Sequence, residues 1–160
     1  MMHNNQGQIV IRKATEADVR QIAEILVEDW KRAYNGIMDS AYLDAMSVEQ
    51  RYPIELRRYQ KYMVAADGQE ILGYAWNEMI DDETADCEIV ALYVRYDRRK
   101  SGIGRMLFQN AMDSFRAVGK KTMIIQNATR SGHLYSMRFL CSGLPFFCQS
   151  ILRLLPPQHH

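Results

Sequence analysis

The sequence predicts a mixed α/β fold, and three observations carry that expectation. Apolar residues recur at helical spacing after a capping signal at Thr15. Two β-rich runs flank an Asp-Gly turn at Asp67-Gly68. The run Ile89-Val90-Ala91-Leu92-Tyr93-Val94 leads into a glycine-containing bend that opens a second helical pattern at Ile103. Periods near 3.6 and 2 that alternate along one chain place helices against a sheet. At 160 residues the chain has the size of one unit with one core, so residues 1–160 are expected to form a single domain.

Element by element, Gln8-Ile9-Val10-Ile11-Arg12 is β-branched and alternates weakly, as a short strand does. Thr15-Glu16-Ala17-Asp18 has the form of a capping box, and Val19, Ile22, Ala23, Leu26, Val27 and Trp30 follow on one helical face. Asn35-Gly36 ends that helix. Ser40 to Tyr59 reads as a less regular helical region, with its interruption expected near Pro53. Tyr62–Ala66 and Ile71–Trp76 form an antiparallel hairpin about the Asp-Gly turn. A second turn is expected at Asp81-Asp82-Glu83. The strand that follows, Ala85 to Val94, alternates so as to place Glu88, Val90, Leu92 and Val94 on one face and Ile89, Ala91 and Tyr93 on the other. Both faces are mainly apolar, which marks a central strand. Leu107, Ala111 and Phe115 continue the second helix to Gly119, and Thr122-Met123-Ile124-Ile125-Gln126 is a buried strand, parallel to its predecessor through the helical crossover.

Composition narrows the partners. Lys and Arg number 20 against 19 Asp and Glu, a net charge of +1, so the broad basic stripe of a nucleic-acid binder is not expected. No apolar stretch is long enough to span a bilayer, and the polar start Met1-Met2-His3-Asn4-Asn5-Gln6 has no secretory apolar region. A cytoplasmic location without a membrane partner is the expectation, with residues 1–7 flexible. Cys87, Cys141 and Cys148 are odd in number and lack Cys-x-x-Cys spacing, which suggests neither a disulfide framework nor a metal site.

The segment Arg99-Lys100-Ser101-Gly102-Ile103-Gly104 reads as a phosphate cradle. Glycines let backbone N–H groups approach an anion, and the helix that follows aims the positive end of its dipole at the same place. Arg95, Arg98, Arg99, Lys100 and Arg105 add local positive charge. A P-loop needs Lys-Ser after its glycines, whereas Lys100-Ser101 precedes them. A dinucleotide fingerprint needs Gly or Ala where Leu107 stands. The pattern left, Arg/Gln-x-x-Gly-x-Gly/Ala, resembles the coenzyme A loop of the GCN5-related N-acetyltransferases (GNAT family). The likeness extends from about Ile9 to about Tyr135.

That resemblance implies a central, mostly antiparallel sheet splayed at the fourth strand, with helices on both faces and acetyl-CoA in the splay. The implied reaction is direct attack of a primary amine, from a small molecule or peptide, on the thioester, with no metal required. Cofactor contacts fall on Arg99, Lys100, Ser101, Gly102, Ile103, Gly104 and Arg105 at the loop, on the backbone of Leu92, Tyr93 and Val94, and on Asn127 after the fifth strand. Glu88 stands where relatives carry a general base, with Glu78 and Asp81 as other carboxylates nearby. Tyr135 stands at the distance of a Tyr that relatives place on a fourth helix near the coenzyme sulfur, although Leu134-Tyr135-Ser136-Met137-Arg138 departs from the family's Phe-Tyr-x-x-x-Gly-Phe. His133 is a further candidate for that acid. Trp30, Tyr34, Gly36 and Ile37 resemble a pattern that walls the acceptor pocket; both aromatics also suit a core.

Relatives close with a helix and a strand hairpin, whereas residues 144–155 supply enough chain for one apolar strand. An uncovered apolar edge invites pairing, so a homodimer is expected. The altered tail also leaves a second class open, a non-catalytic acetyl-CoA-binding sensor or regulatory protein.

Overall fold

The structure is a computed structural model that describes residues 7–80, 83, 85–128 and 134–141, with the backbone alone for 126–128 and 134–140. Six strands form one sheet in chain order: β1 (Val10–Lys13), β2 (Tyr62–Asp67), β3 (Glu70–Met79), β4 (Cys87–Val94), β5 (Thr122–Ala128) and β6 (Leu134–Leu140). Every neighbouring pair is antiparallel except β4 and β5, which run parallel. Helix α1 (Val19–Ala33), with α2 (Ser40–Ala45) and α3 (Val48–Leu56), serves one face, and α4 (Ile103–Ala117) crosses the other between β4 and β5.

Local chemistry accounts for most boundaries. The Asp18 carboxylate accepts from the Thr15 N–H at 2.7 Å and from its hydroxyl at 3.1 Å, and Arg12 on β1 pairs with it, so the start of α1 is tied to the edge strand. Gly68 takes a φ of 60°, which suits a two-residue hairpin loop between Asp67 and Glu70. Helix α4 ends in a Schellman motif: Gly119 has a φ of 76°, its N–H donates to the Arg116 carbonyl and the Lys120 N–H to that of Phe115.

The helical region after Gly36 is interrupted, but at Met46-Ser47 and not near Pro53. Ser47 caps α3 by accepting from the Gln50 N–H at 3.2 Å, and Pro53 lies inside the helix. Proline removes one donor there, and the short helix ends at Leu56 before a further turn is needed.

Two apolar layers enclose the sheet. On the α1 side Ile22 and Ile25 pack on Tyr62, Val64, Ile71 and Tyr74. On the α4 side Phe108, Met112 and Phe115 pack on Cys87, Ile89, Met123 and Cys141, while Ile103 and Leu107 cover Ala65, Leu72 and Ala75. Cys87 and Cys141 are free and buried, and burial pushes the Cys87 thiol up to about 12, far from reactive thiolate. Cys148, the Asp81-Asp82 part of the second turn and the apolar 144–155 segment, with the dimer expected from it, lie outside the described residues. No helix among the described residues is long and apolar enough to cross a membrane.

Candidate functional site

Strand β4 departs from the simple alternation read in the sequence. Trp76 pairs with Ala91 and Asn77 with Ile89, so Val90 is an extra residue on β4 and the strand bulges there. One inserted residue exchanges the faces. Before the bulge Cys87 and Ile89 face α4; after it Leu92 and Val94 do. Glu88 therefore shares a face with Tyr93 and the α1 side, not with Leu92 and Val94. The parallel ladder with β5 covers only Cys87–Ile89 against Met123–Ile125. Beyond Ile89 the β5-facing edge of β4 has no strand partner among the described residues, which is the splay expected at this strand. Backbone groups of Leu92, Tyr93 and Val94 lie along that open stretch.

The bend that follows is made of main chain. Lys100 and Gly102 adopt positive φ values of 63° and 87°, and α4 begins at Ile103 without a side-chain cap. A non-glycine residue in the left-handed region costs about 1–2 kcal/mol, so the surroundings must hold Lys100 in place. A Cβ on Gly102 would meet nothing within 4 Å; its requirement is conformational, and the space in front of it is open. None of the amides from Lys100 to Arg105 finds an acceptor among the described residues. Successive unpaired N–H groups at a helix start form an anion-binding concavity.

Most of the cations read as facing that concavity are engaged elsewhere. Arg95 pairs with Glu70 and Asp97, Arg98 lies 3.4 Å from Glu70, and Arg99 pairs with Asp29 on α1. The Ser101 hydroxyl donates to the Arg98 carbonyl. Lys100 and Arg105 have no carboxylate partner among the described residues, and they remain to balance an anion.

On the α1 side of β4 two carboxylates oppose each other in register, Glu78 on β3 and Glu88 on β4. Their surroundings separate them. Glu78 accepts from Lys61 and, at 2.9 Å, from the Trp76 indole, and these bonds hold its carboxyl below the usual range. Glu88 has no hydrogen-bond or ion-pair partner among the described residues; burial first, and the charge of Glu78 second, push its pKa up. Environments that drive two neighbouring acids apart are a signature of acid–base sites.

A row of rings adjoins them. Trp30 touches Tyr34 with centroids 5.1 Å apart and donates from its indole to the Tyr93 hydroxyl at 3.1 Å; Tyr93 packs on Tyr74, Tyr74 on Tyr62 and Tyr62 on Trp76. Behind the row, Glu55 of α3 is buried and accepts from the Tyr62 hydroxyl and from Arg51, with Arg58 at 3.6 Å. Asp29 does not stand out in the sequence, because its partner lies 70 residues away; Glu55 has Arg51 and Arg58 at ordinary helical spacing, and its burial against the Tyr62 hydroxyl is what the sequence does not signal.

Tyr135 lies on β6, not on a helix, and its Cα is in register with that of Asn127 on β5. Leu134–Leu140 reads Leu-Tyr-Ser-Met-Arg-Phe-Leu, in which Ser136 and Arg138 alternate with Tyr135, Met137 and Phe139. This period of two was the available signal, and an antiparallel ladder with β5 satisfies it. His133 and Asp81 lie outside the described residues.

Comparison with known proteins agrees with this fold. In structure the chain is similar to the PaiA N-acetyltransferase of Thermoplasma acidophilum, solved with coenzyme A, at a TM-score of 0.62 and 21% identity over 76% of this chain and 80% of that one. It is also similar to YncA, a putative acetyltransferase of Salmonella typhimurium solved with acetyl-CoA, at a TM-score of 0.59 and 18% identity over 86% and 96%. In sequence it is 24% identical to the uncharacterised N-acetyltransferase YuaI of Bacillus subtilis over 73% of this chain and 70% of YuaI. A probable N-acetyltransferase of Mycobacterium tuberculosis is 30% identical over 68% and 66%. The model of the acetyltransferase (GNAT) family matches residues 19–140, most of the chain and every element from α1 to β6, so the protein is an acyltransferase of the GNAT family.

Proposed function

We propose that the protein transfers the acetyl group of acetyl-CoA to a primary amine of a small molecule or peptide. One observation carries the cosubstrate: the amides from Lys100 to Arg105, unpaired among the described residues, come one short turn after the stretch of β4 whose β5-facing edge has no strand partner among them. That combination suits a diphosphate followed by an amide-bearing arm that pairs with Leu92, Tyr93 and Val94 as an added strand does. Ser101, Gly102, Ile103 and Gly104 offer backbone, Lys100 and Arg105 charge. Asn127 stands at the far side of the splay.

In the reaction the amine nitrogen forms a bond to the carbonyl carbon and the carbon–sulfur bond breaks, its electron pair leaving with sulfur. Glu88 takes the amine proton through a water; its raised pKa supports this role. Tyr135 is assigned the proton that the departing thiolate needs, on the support of its register opposite Asn127. Trp30 and Tyr34 wall the acceptor side, supported by their place beside Tyr93. The working unit is a homodimer in the cytoplasm, and the apolar 144–155 segment of the sequence supports the dimer.

The direct test is release of free coenzyme A from acetyl-CoA across a panel of amines. Saturable release with at least one primary amine is the expected result. Binding of acetyl-CoA without release for any amine would overturn the transfer reading.

A further inference from the structure

We propose that Asp29 is a positioning residue: through its ion pair with Arg99 it couples the coenzyme loop to the end of α1 that carries Trp30 and Tyr34. The inference rests on the reading of Lys100–Arg105 as the coenzyme site and adds to it a link to the acceptor side.

Apolar packing fixes only the first part of α1. Val19, Ile22, Ala23, Ile25, Leu26 and Val27 are buried, whereas none of the residues from Glu28 to Ala33 is. Directional contacts orient those last turns, and they lead to β4 and to the bend. Asp29 pairs with Arg99, their side chains 15% and 17% exposed, against 39% and 43% for the neighbouring Glu70–Arg98 pair. The Arg32 guanidinium lies 3.7 Å from the ring centroid of Tyr96, in the turn between β4 and the bend. Trp30 bonds to Tyr93 on β4.

Arg99 directly precedes Lys100, the residue held at a φ of 63°. An anchored Arg99 therefore fixes the chain just where the amides must turn outward, and the same anchor sets the angle of the helix end bearing Trp30. Whatever settles the bend settles the wall. Two consequences follow from the shared anchor: coenzyme bound at the bend alters the surroundings of Trp30, and loss of the Asp29 carboxylate, which releases Arg99 and the bend, weakens coenzyme binding. The opposite arrangement, in which Asp29 merely withholds Arg99 from the phosphates, gives the opposite sign.

The full chain contains two tryptophans, so Trp76→Phe leaves Trp30 as the reporter. In that background coenzyme A is titrated while Trp30 emission is followed, with calorimetry giving the affinity. The expected result is an emission change on saturation in the parent, and in Asp29→Asn a loss of that change with affinity weaker by about tenfold at an unaltered melting temperature. Asp29→Glu retains both, and the exchange Asp29→Arg with Arg99→Asp recovers them. Unchanged or tighter binding in Asp29→Asn overturns the proposal, as does a parent that binds coenzyme A with no change at Trp30. Should Asp29→Asn fail to fold, Arg99→Gln breaks the pair from the loop side and must show the same losses, since retention of both signals overturns it. A wild-type chain that binds no coenzyme A at all overturns the coenzyme reading itself, and the wild-type isotherm separates that failure from the others.

Discussion

Two stretches of the seam along β4 are built from different materials. At the bend, Lys100–Arg105 offers main-chain amides, and the side chains around it mostly look elsewhere: Arg95 to Glu70 and Asp97, Arg99 to Asp29. At the opposite end, Glu88 and Glu78 act as side chains whose properties depend on Lys61, Trp76 and burial. A backbone site tolerates most substitutions that preserve φ and ψ. A side-chain site does not, and a single neutralised carboxylate alters its chemistry while leaving the backbone as it was.

Substitutions at the two ends should therefore fail in different ways. The largest effect is expected from Glu88→Gln: turnover falls by about 10²–10⁴, the usual worth of a general base, with acetyl-CoA affinity retained. Steady-state kinetics beside calorimetry read the split, and a parallel loss of both would return Glu88 to a structural role. Next comes Gly102→Val. A β-branched residue at a φ of 87° is strained although its Cβ has room, so acetyl-CoA binding should weaken about a hundredfold, roughly 2.7 kcal/mol, while the fold persists. Unimpaired binding would remove the main-chain concavity from the site.

A smaller effect sharpens the contrast from the side of stability. Tyr62→Phe takes one donor from the buried Glu55 carboxylate, and bonds to charged groups contribute about 1.5–3 kcal/mol. Denaturant unfolding should show that loss. Lys100→Ala, which cuts the side chain back to its Cβ, should leave stability nearly unchanged because Lys100 is exposed and has no ion-pair partner among the described residues.

What was legible in the sequence follows the same division. The bend is readable because most of its requirements are local: Gly102 at a positive φ, a helix start, an apolar run before it; the positive φ of Lys100 has no such signal. The helix start at Thr15, the Asp-Gly hairpin and the parallel crossover were readable for the same reason. Non-local pairing hid the rest. No residue type announces that Val90 is inserted, yet that insertion decides which face Glu88 occupies. Pro53 looked like the helix breaker, but Ser47 offered a better cap nearby and α3 tolerated the proline six residues in. The family likeness puts Tyr135 on a helix, while its own neighbours alternate as a strand does. No local pattern singles out Asp29, whose arginine the fold brings from 70 residues away, or shows that Glu55 is buried against the Tyr62 hydroxyl.

The finest test concerns the pH dependence of the side-chain end. If Glu88 is the base, kcat/KM falls as pH drops through its pKa, because only the ionised carboxylate accepts a proton. Burial is the larger cause of the raised pKa and Glu78 the smaller, so Glu78→Gln removes the smaller one. The acid limb should then move to lower pH, by less than about one unit, and still lie above the ordinary carboxylate range. Lys61→Met acts with the other sign: it strips Glu78 of its cation, leaves more negative potential at Glu88, and should carry the limb to higher pH. Opposite shifts from two residues away from the coenzyme bend would tie the limb to Glu88. A limb that stays put in both variants would mean that another group titrates, and the main-chain end would then be the only part of the seam with an assigned chemical role.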